Sequence, residues 1–258
     1  MKIGVCGGIA KAEIAKKVGY DYAEENLNKV ALLGDKEFSE LVRAYEKLDF
    51  PVYSFNCFFG PENLLFEDDS LSKVKVYAEG ALSRAKALGG SVCVVGSGKA
   101  RNVAEGMDRA FCEQRFVDIL KVCGEAAEKN GIILAIEPLS YKETNLINKV
   151  CEGADFARRS GSKSVGVLVD FFHFFMNGET DDGLVGSEDI LWHAHLARAN
   201  ADRMMPRAED VATVEKWASM LKPAKYKGHI SLEGKHGDDF EKSITDTVPF
   251  IQAFKSVN

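Results

Sequence analysis

The chain has 258 residues, 46% of them hydrophobic, and a formal net charge of −6 at neutral pH. This length and apolar content suit one large α/β domain as well as two small domains. Lysine and arginine are mixed among the acids, which argues against a broad nucleic-acid or membrane-binding surface but leaves room for a local basic pocket.

Short apolar runs alternate with amphipathic segments along the whole chain. The apolar runs predict eight strands, at 3–6, 20–23, 51–56, 91–95, 132–136, 164–169, 191–196 and 228–232. The segments between them predict helices at 10–18, 38–48, 69–88, 107–129, 149–160, 211–221 and 240–254. This alternation over this length is typical of a (β/α)8 TIM barrel, so we predict an α/β fold with one TIM-barrel domain over residues 1–258.

An open, doubly wound sheet is the alternative architecture. Such a sheet usually carries a glycine-rich phosphate loop after its first strand. Cys6-Gly7-Gly8 is too sparse to serve as that loop, and no linker or repeat divides the chain. The sequence therefore favours the barrel.

The cysteines and the first residues indicate a cellular compartment. The six cysteines are scattered without a CxxC pair, and we expect most of them to be reduced core residues. The chain enters a strand-like run at once, and it has no apolar stretch long enough to span a bilayer. We therefore expect a soluble cytoplasmic protein.

Four consecutive predicted strands, the fifth to the eighth, end on a side chain that can bind a metal. These side chains are Glu137, Asp170, His195 and Glu233. In a TIM barrel the carboxyl ends of the strands surround one mouth, where catalysis takes place. Three carboxylates gathered there would repel one another unless a cation joined them. One polar strand end is ordinary, because loops are polar, but four in succession predict a metal site suited to Mn²⁺, Mg²⁺ or Co²⁺.

The sequence gives weaker evidence of a function for the other four histidines. We interpret His173, three residues after Asp170, as a substrate contact, although it also fits a polar residue that closes an aromatic loop. His193 lies one layer deeper than His195 on the same face, so we expect a packed core histidine. We interpret His229 as structural, near a strand start, and His236 as a loop residue.

The strand ends resemble a known family, the xylose-isomerase-like TIM-barrel superfamily of sugar isomerases and epimerases, which also contains endonuclease IV and inosose dehydratase. The resemblance covers nearly the whole chain and is closest to the ketose 3-epimerase pattern. It rests on these motifs: Glu137-Pro138 with Glu143, Asp170-x-x-His173, His193-x-His195 followed by Arg203-x-x-Pro206, and Leu232-Glu233.

The resemblance implies roles for individual residues. Glu137, Asp170, His195 and Glu233 would bind one divalent metal ion, with Mn²⁺ expected first and Mg²⁺, Co²⁺ or Zn²⁺ as alternatives. Glu137 and Glu233 would also exchange protons with the substrate. The substrate-binding residues would be Glu143, His173 and Arg203. Arg198 and Ala199 depart from the pattern, because many relatives carry an acidic residue in that loop.

The implied activity is that of a metal-dependent sugar or sugar phosphate isomerase or epimerase. One glutamate removes a proton beside a carbonyl, a metal-stabilised enediolate forms, and a second glutamate returns a proton. Return to the same carbon is epimerisation, and return to the next carbon is aldose–ketose isomerisation. The sequence leaves both open.

Three activities other than a sugar isomerase or epimerase are compatible with the same fold. A metal-dependent lyase or dehydratase acting on a cyclic polyol, similar to inosose dehydratase, is the first alternative. An endonuclease IV-like nuclease is disfavoured, because that chemistry needs several zinc ions and the chain has only five histidines and a charge of −6. A non-catalytic sugar-binding barrel is disfavoured by the complete ligand set. We expect a small sugar substrate, no nucleic acid and no membrane, with homo-oligomerisation left open.

A phosphate on the substrate is a further hypothesis. Five cations are predicted on loops at the barrel mouth: Arg101, Arg198, Arg203, Arg207 and Lys235. TIM barrels often bind phosphate near their last two loops. Solvated surface charge explains most of these residues equally well, so we favour a substrate without phosphate.

Overall fold

The computed structural model describes residues 1–60, 62–63 and 65–257, and within them eight parallel strands close into a barrel. The strands are β1 Ile3–Cys6, β2 Tyr22–Asn26, β3 Val52–Asn56, β4 Val92–Val95, β5 Ile133–Ile136, β6 Val165–Asp170, β7 Leu191–Leu196 and β8 His229–Leu232. Each strand pairs with the next in chain order, and β8 pairs with β1. The predicted single-domain TIM barrel is confirmed.

Helices lie between the strands and cover the barrel. They are α1 Ile9–Val18, α2 Leu27–Leu32, α3 Asp35–Leu48, α4 Ser70–Ala87, α5 Gly98–Arg101, α6 Arg109–Asn130, α7 Val150–Ser160, α8 Phe171–Met176, α9 Val211–Leu221, α10 Phe240–Thr247 and α11 Gln252–Lys255. The predicted final helix over 240–254 is wrong as one element. It is interrupted by a 3₁₀ turn, Val248–Ile251, at Pro249, whose ring cannot continue an α-helix.

The second strand differs most from its prediction. The sequence predicts a strand over 20–23 that ends on Glu24, whereas the strand runs from Tyr22 to Asn26 and contains Glu24. The pairing register with β3 shifts between Ala23 and Glu24, and from there Glu24 lies opposite Ser54. In the separate pairing of β1 with β2, Cys6 lies opposite Glu24. The two pairings together align polar residues of β1, β2 and β3 in one row.

The core consists of a small cluster within the barrel and a large layer between the barrel and its helices. The inner cluster contains Val92, Val94, Ala135 and Leu168, all buried. Alternation along the strands sends the other side chains outward to the helices. The polar cluster described below lies at the carboxyl ends of these strands.

The cysteines only partly match the prediction of a reduced core. All six have free thiols, and Cys93, Cys112 and Cys123 are buried. Cys57 and Cys151 are exposed and Cys6 is half-buried, so three of the six cysteines, and not most of them, are core residues. Among the helices that the structure describes, none is long and apolar enough to cross a membrane.

Candidate active site

The four residues predicted from the strand ends come together at one end of the barrel. Glu137 follows β5, Asp170 ends β6, His195 lies in β7 and Glu233 follows β8. One ligand atom from each lies within 4.8 Å of the others. Parallel pairing places Asp170 directly opposite His195, which explains why residues so far apart in sequence meet. We call these four residues the strand-end cluster.

His195 lies at the centre of the strand-end cluster and is fully buried. Its Nδ1–H donates to Glu137 Oε1 at 2.9 Å, and Glu233 Oε2 lies 3.0 Å from the same nitrogen. Burial alone would lower the pKa of His195, but the charges of Glu24, Glu233 and Glu137 outweigh it and hold that pKa well above its usual value. An imidazolium therefore balances the carboxylates around it.

The two glutamates of the cluster differ in electrostatic environment. Burial, followed by the charge of Glu233, raises the pKa of Glu137. Burial also opposes ionisation of Glu233, but His195 and Arg203 outweigh it and lower the pKa of that carboxyl. The Glu137 side chain is 7% exposed, whereas the Glu233 side chain is 21% exposed. Glu137 is thus less exposed to solvent than Glu233.

Arg203 reaches the cluster from the loop between β7 and α9. Its Nη2–H donates to Asp170 Oδ2 at 2.9 Å and to Glu233 Oε2 at 2.6 Å. The guanidinium lies over the ring of Phe172, 4.9 Å from the centroid. Its backbone is left-handed, with φ of 54°, a conformation that a non-glycine residue rarely adopts. The structure brings Arg203 to the cluster, as the prediction of a substrate contact requires.

His173 and Glu143 lie beside the cluster. The backbone N–H of Ser140 donates to His173 Nδ1 at 3.1 Å, so the proton of the neutral ring is on Nε2. His173 Nε2 is buried, lies 3.6 Å from Asp170 Oδ2, and has no hydrogen-bond partner in the described part of the chain. Glu143 Oε1 lies 3.8 Å from His173 Nδ1 and 3.9 Å from Arg203 Nη1, with 43% of its side chain exposed at the rim.

Asp170 also shapes the segment that follows it. Its Oδ1 accepts from the backbone N–H of Phe172 at 2.7 Å, which caps α8. Burial opposes ionisation of Asp170, but His173, Arg203 and His195 outweigh it and lower the pKa of its carboxyl. The predicted aromatic loop after Asp170 is therefore a short helix, and the cap leaves Oδ2 facing the cluster.

Two polar residues missed by the sequence prediction contact the cluster from the opposite half of the barrel. Glu24 Oε1 accepts from His195 Nε2–H at 2.9 Å, and Asn56 Nδ2–H donates to Glu233 Oε1 at 3.1 Å. Burial opposes ionisation of Glu24, but His195 and His193 hold its pKa well below the usual value. The one signal for Glu24 in the sequence is its position directly after the second predicted strand, 20–23.

Two of the five cations considered for a phosphate, Arg101 and Arg198, are engaged by other groups of the protein. Arg101 is fully buried, and burial lowers its pKa to about 10. Its guanidinium donates to three backbone carbonyls, those of Val95, Glu137 and Ile147, at 2.9, 2.7 and 3.4 Å. The prediction of Arg101 as a mouth cation is wrong, because its loop turns inward to hold the end of β5. Arg198 is paired with acids, Glu209 at 2.7 Å among them.

The remaining histidines match their predicted places. His193 is fully buried, and its Nε2–H donates to Glu24 Oε2 at 2.9 Å, as expected for a packed core histidine. His229 lies against Tyr53, with 4.3 Å between ring centroids. His236 lies on the loop after β8 and contacts Lys11 Nζ through Nε2 at 2.7 Å.

Comparison with known proteins decides the family. A sequence model described as the xylose isomerase-like TIM barrel matches residues 12–254. The chain belongs to this family. The predicted resemblance to the xylose isomerase-like barrels is therefore confirmed over almost the entire chain.

Within the xylose isomerase-like barrels, similar curated proteins are sugar epimerases. The 3-dehydro-D-guloside 4-epimerase of Escherichia coli (strain K12) is 26% identical over 141 residues, 52% of this chain and 51% of that protein. A D-psicose 3-epimerase of Agrobacterium fabrum is 32% identical over 97 residues, 36% of this chain and 33% of that protein. The chain thus spans about half or less of the length of these relatives.

Solved structures show the same fold over a greater length. The crystal structure of the 3-keto-D-glucoside 4-epimerase from E. coli superposes with a TM-score of 0.80, covering 98% of this chain and 99% of that chain. The sequence identity of that pair is 19%, so the similarity shows a shared barrel.

Proposed function

We propose that this protein is a sugar epimerase that depends on one divalent metal ion and transfers protons with Glu137 and Glu233. One observation carries the proposal: these two glutamates approach the same nitrogen, His195 Nδ1, at 2.9 and 3.0 Å. They do so within a barrel whose curated relatives are epimerases. A pair of glutamates around one centre is the arrangement that two-base proton transfer needs.

The strand-end cluster fits a divalent cation by its donor set. Its three carboxylates and one imidazole offer hard oxygen and nitrogen ligands, which suit Mn²⁺ first and Mg²⁺, Co²⁺ or Zn²⁺ as well. Glu137, Asp170, His195 and Glu233 would hold the ion. Once bound, the ion would polarise a substrate carbonyl and offset the negative charge that develops when a neighbouring proton leaves.

The proton-transfer roles follow from the positions of the two glutamates. Glu137 follows β5 and Glu233 follows β8, with β6 and β7 between them in the ring. A sugar held between them would meet one carboxylate on each face. One glutamate removes the proton from the carbon beside the carbonyl, and the other returns a proton from the opposite face. The carbon thereby inverts its configuration.

Three neighbouring side chains would orient the sugar. His173 Nε2–H is a buried donor without a partner in the described residues, so it is available to a sugar oxygen. Arg203 supplies guanidinium donors that now bind Asp170 and Glu233. Glu143 at the rim would accept from a hydroxyl. We assign substrate binding to these three residues.

The names of the curated relatives and the contacts of two arginines narrow the class of substrate. The names of the curated relatives are those of 3- and 4-epimerases, which favours return of the proton to the carbon that lost it. Arg101 binds backbone carbonyls and Arg198 binds acids, so neither is available for a phosphate. We therefore favour a keto sugar without phosphate.

A substrate screen tests the proposal. The purified protein with Mn²⁺ would be given ketohexoses including D-psicose, 3-dehydroglycosides, aldoses, the phosphates of these sugars, and inosose, with products identified by NMR. The expected product is an epimer at the carbon next to the carbonyl. Loss of water from inosose would instead indicate the dehydratase alternative. No turnover of any compound by protein with bound Mn²⁺ would contradict the proposal.

A further inference from the structure

Glu24 is a buried carboxylate that reaches the strand-end cluster from the opposite half of the barrel. It lies in β2, whereas the cluster comes from β5 to β8, and it is fully buried. Its two oxygens have different surroundings. Oε1 accepts from His195 Nε2–H at 2.9 Å, while Oε2 faces three groups: His193 Nε2 at 2.9 Å, Ser54 Oγ at 2.5 Å and Ser231 Oγ at 2.6 Å.

In the structure both nitrogens of His195 face carboxylates, and both carry protons. Glu24 determines which of the two protons the ring keeps if Nδ1 becomes a metal ligand. A carboxylate only accepts hydrogen bonds, so the imidazole nitrogen that faces Glu24 must be protonated. The other nitrogen, Nδ1, then faces Glu137 and Glu233. In a neutral ring with a proton on Nε2, Nδ1 carries the lone pair that a metal ligand needs.

We propose that Glu24 is the positioning residue of the metal centre, because it fixes His195 with Nε2 protonated and Nδ1 directed at the cation. This inference rests on the proposed function, since it takes the strand-end cluster to be a metal site. A carboxylate behind a ligating histidine fixes both the tautomer and the ring orientation, and its loss typically lowers metal affinity 10–100-fold.

Strand pairing explains why the Glu24 carboxylate cannot turn away. In β2 and β3, Glu24 lies opposite Ser54, and in β7 and β8, His195 lies opposite Ser231. The two serines therefore approach from both sides of the barrel and fix Oε2. With Oε2 held, Oε1 has a single position, which is the one that contacts His195.

A second cation site is the rival explanation of the same residues. Ligand atoms of Cys6, Glu24 and His195 also lie within 4.8 Å of one another. However, Glu24 already faces four donor groups, and His195 Nε2 is occupied by its hydrogen bond to Glu24. These hydrogen bonds would have to be broken before an ion could bind there. The structure therefore favours a positioning role.

The variant Glu24→Gln separates these possibilities. Its amide oxygen fits the Oε2 position, where three groups donate, and this leaves the amide NH₂ facing His195 Nε2. The NH₂ donates, so a neutral His195 must accept at Nε2 and keep its proton on Nδ1, the nitrogen needed by the metal. We expect Mn²⁺ affinity, measured by calorimetry on metal-free protein, to fall roughly 10–100-fold.

Glu25→Gln is the matched control. Glu25 is the next residue of β2, is 6% exposed and accepts from the hydroxyl of Tyr45, away from His195. Its replacement also removes a buried carboxylate from the same strand. We expect its Mn²⁺ affinity to stay at the wild-type value. An equal loss of affinity in both variants would assign the effect to the strand as a whole and would overturn the inference.

The tautomer of His195 gives a readout that a merely structural role would not change. The chain has five histidines, so ¹⁵N-histidine labelling gives few signals, and Mg²⁺ serves as a diamagnetic ion. In the presence of Mg²⁺ we expect His195 of the wild-type protein to carry its proton on Nε2 alone, and His195 of Glu24→Gln to keep a proton on Nδ1. Should Glu24→Gln not fold, Glu24→Asp, which still accepts, is expected to retain the wild-type tautomer with a smaller loss of affinity. A Nδ1–H tautomer in Glu24→Asp would overturn the inference.

The outcomes distinguish this inference from the proposed function. Wild-type affinity and tautomer in Glu24→Gln, with one ion bound to each wild-type chain, would overturn the inference alone. Two ions per wild-type chain, with one lost in both Glu24→Gln and Cys6→Ser, would establish the rival cation site. Wild-type protein that binds no ion would contradict the proposed metal centre and this inference together.

Discussion

The two halves of the barrel contribute differently to the strand-end cluster. The half from β5 to β8 supplies the cluster itself, and each residue lies at or next to the end of its strand. The half from β1 to β4 supplies side chains that bind cluster residues, Glu24 to His195 and Asn56 to Glu233. The half from β5 to β8 thus supplies the proposed metal ligands, and the half from β1 to β4 adds hydrogen bonds that hold two of them.

This difference shows how a symmetric fold carries an asymmetric site. All eight strands are parallel and direct their carboxyl ends to the same mouth. A buried polar side chain in the half from β1 to β4 nevertheless needs hydrogen-bond partners. Glu24 has them, because the hydroxyls of Ser54 and Ser231 donate to its Oε2. We expect substitutions in the second half to affect chemistry, and those in the first half to affect the ligand geometry or the stability of the barrel.

The largest effect is expected from the proton-transfer pair. Glu137→Gln and Glu233→Gln should each lower kcat by roughly 10²–10⁴-fold, because a general acid or base contributes about that much. Substrate affinity should fall less if the ion stays bound. Steady-state kinetics on the substrate found in the screen would measure this. Near-normal turnover in either variant would remove that glutamate from the mechanism.

The next effect concerns metal affinity. His195→Ala or Asp170→Asn should weaken Mn²⁺ binding by roughly tenfold or more, because each removes or neutralises a proposed ligand. Ser54→Ala, in the half from β1 to β4, should weaken Mn²⁺ binding less, since Glu24 keeps its other hydrogen-bond partners. Calorimetry on metal-free protein would compare the three variants. A greater loss in Ser54→Ala than in His195→Ala would reverse the proposed division of roles.

The third prediction concerns the contribution of Arg101 to the stability of the protein. Arg101→Met should lower the free energy of unfolding by about 1–3 kcal/mol, because the carbonyls of Val95, Glu137 and Ile147 lose a buried donor. Denaturant unfolding would measure this change. Lys99→Met, at an exposed position of the same short helix, is the control and should change it by less than about 0.5 kcal/mol. Equal stabilities of the two variants would contradict the assigned role.

The smallest effect is expected at the rim. Glu143→Gln should raise KM by roughly 2–10-fold with kcat nearly kept, because a half-exposed hydrogen bond contributes about 0.5–1.5 kcal/mol. The comparison is with Glu137→Gln, at which kcat should fall most. A large loss of kcat in Glu143→Gln would move this residue from substrate binding into the proton-transfer step.

The sequence predicted the second half of the barrel better than the first. Glu137, Asp170, His195 and Glu233 follow apolar runs directly, and parallel strands bring such ends together without further information. Glu24 was not predicted because its contact with His195 depends on closure of the barrel across 171 positions and on a register shift in β2.

Other errors have equally local causes. Arg101 was placed at the mouth because its charge alone does not reveal that its loop turns inward to the carbonyl of Glu137. The aromatic run after Asp170 forms α8 and not a loop, because the Asp170 side chain caps the backbone there, a contact that the run itself does not reveal. In both cases a hydrogen bond to the backbone decided the conformation.

Exchange with solvent tests the central claim most directly. In the proposed mechanism the two glutamates lie on opposite faces of the sugar, so the hydrogen that is removed would not be the one returned, and the incoming proton would come from a carboxyl group that exchanges with water. Turnover in D₂O with Mn²⁺ present should therefore place one deuterium on the carbon that inverts, detected by NMR and mass spectrometry. An epimerised product without solvent deuterium would contradict two-base transfer by Glu137 and Glu233.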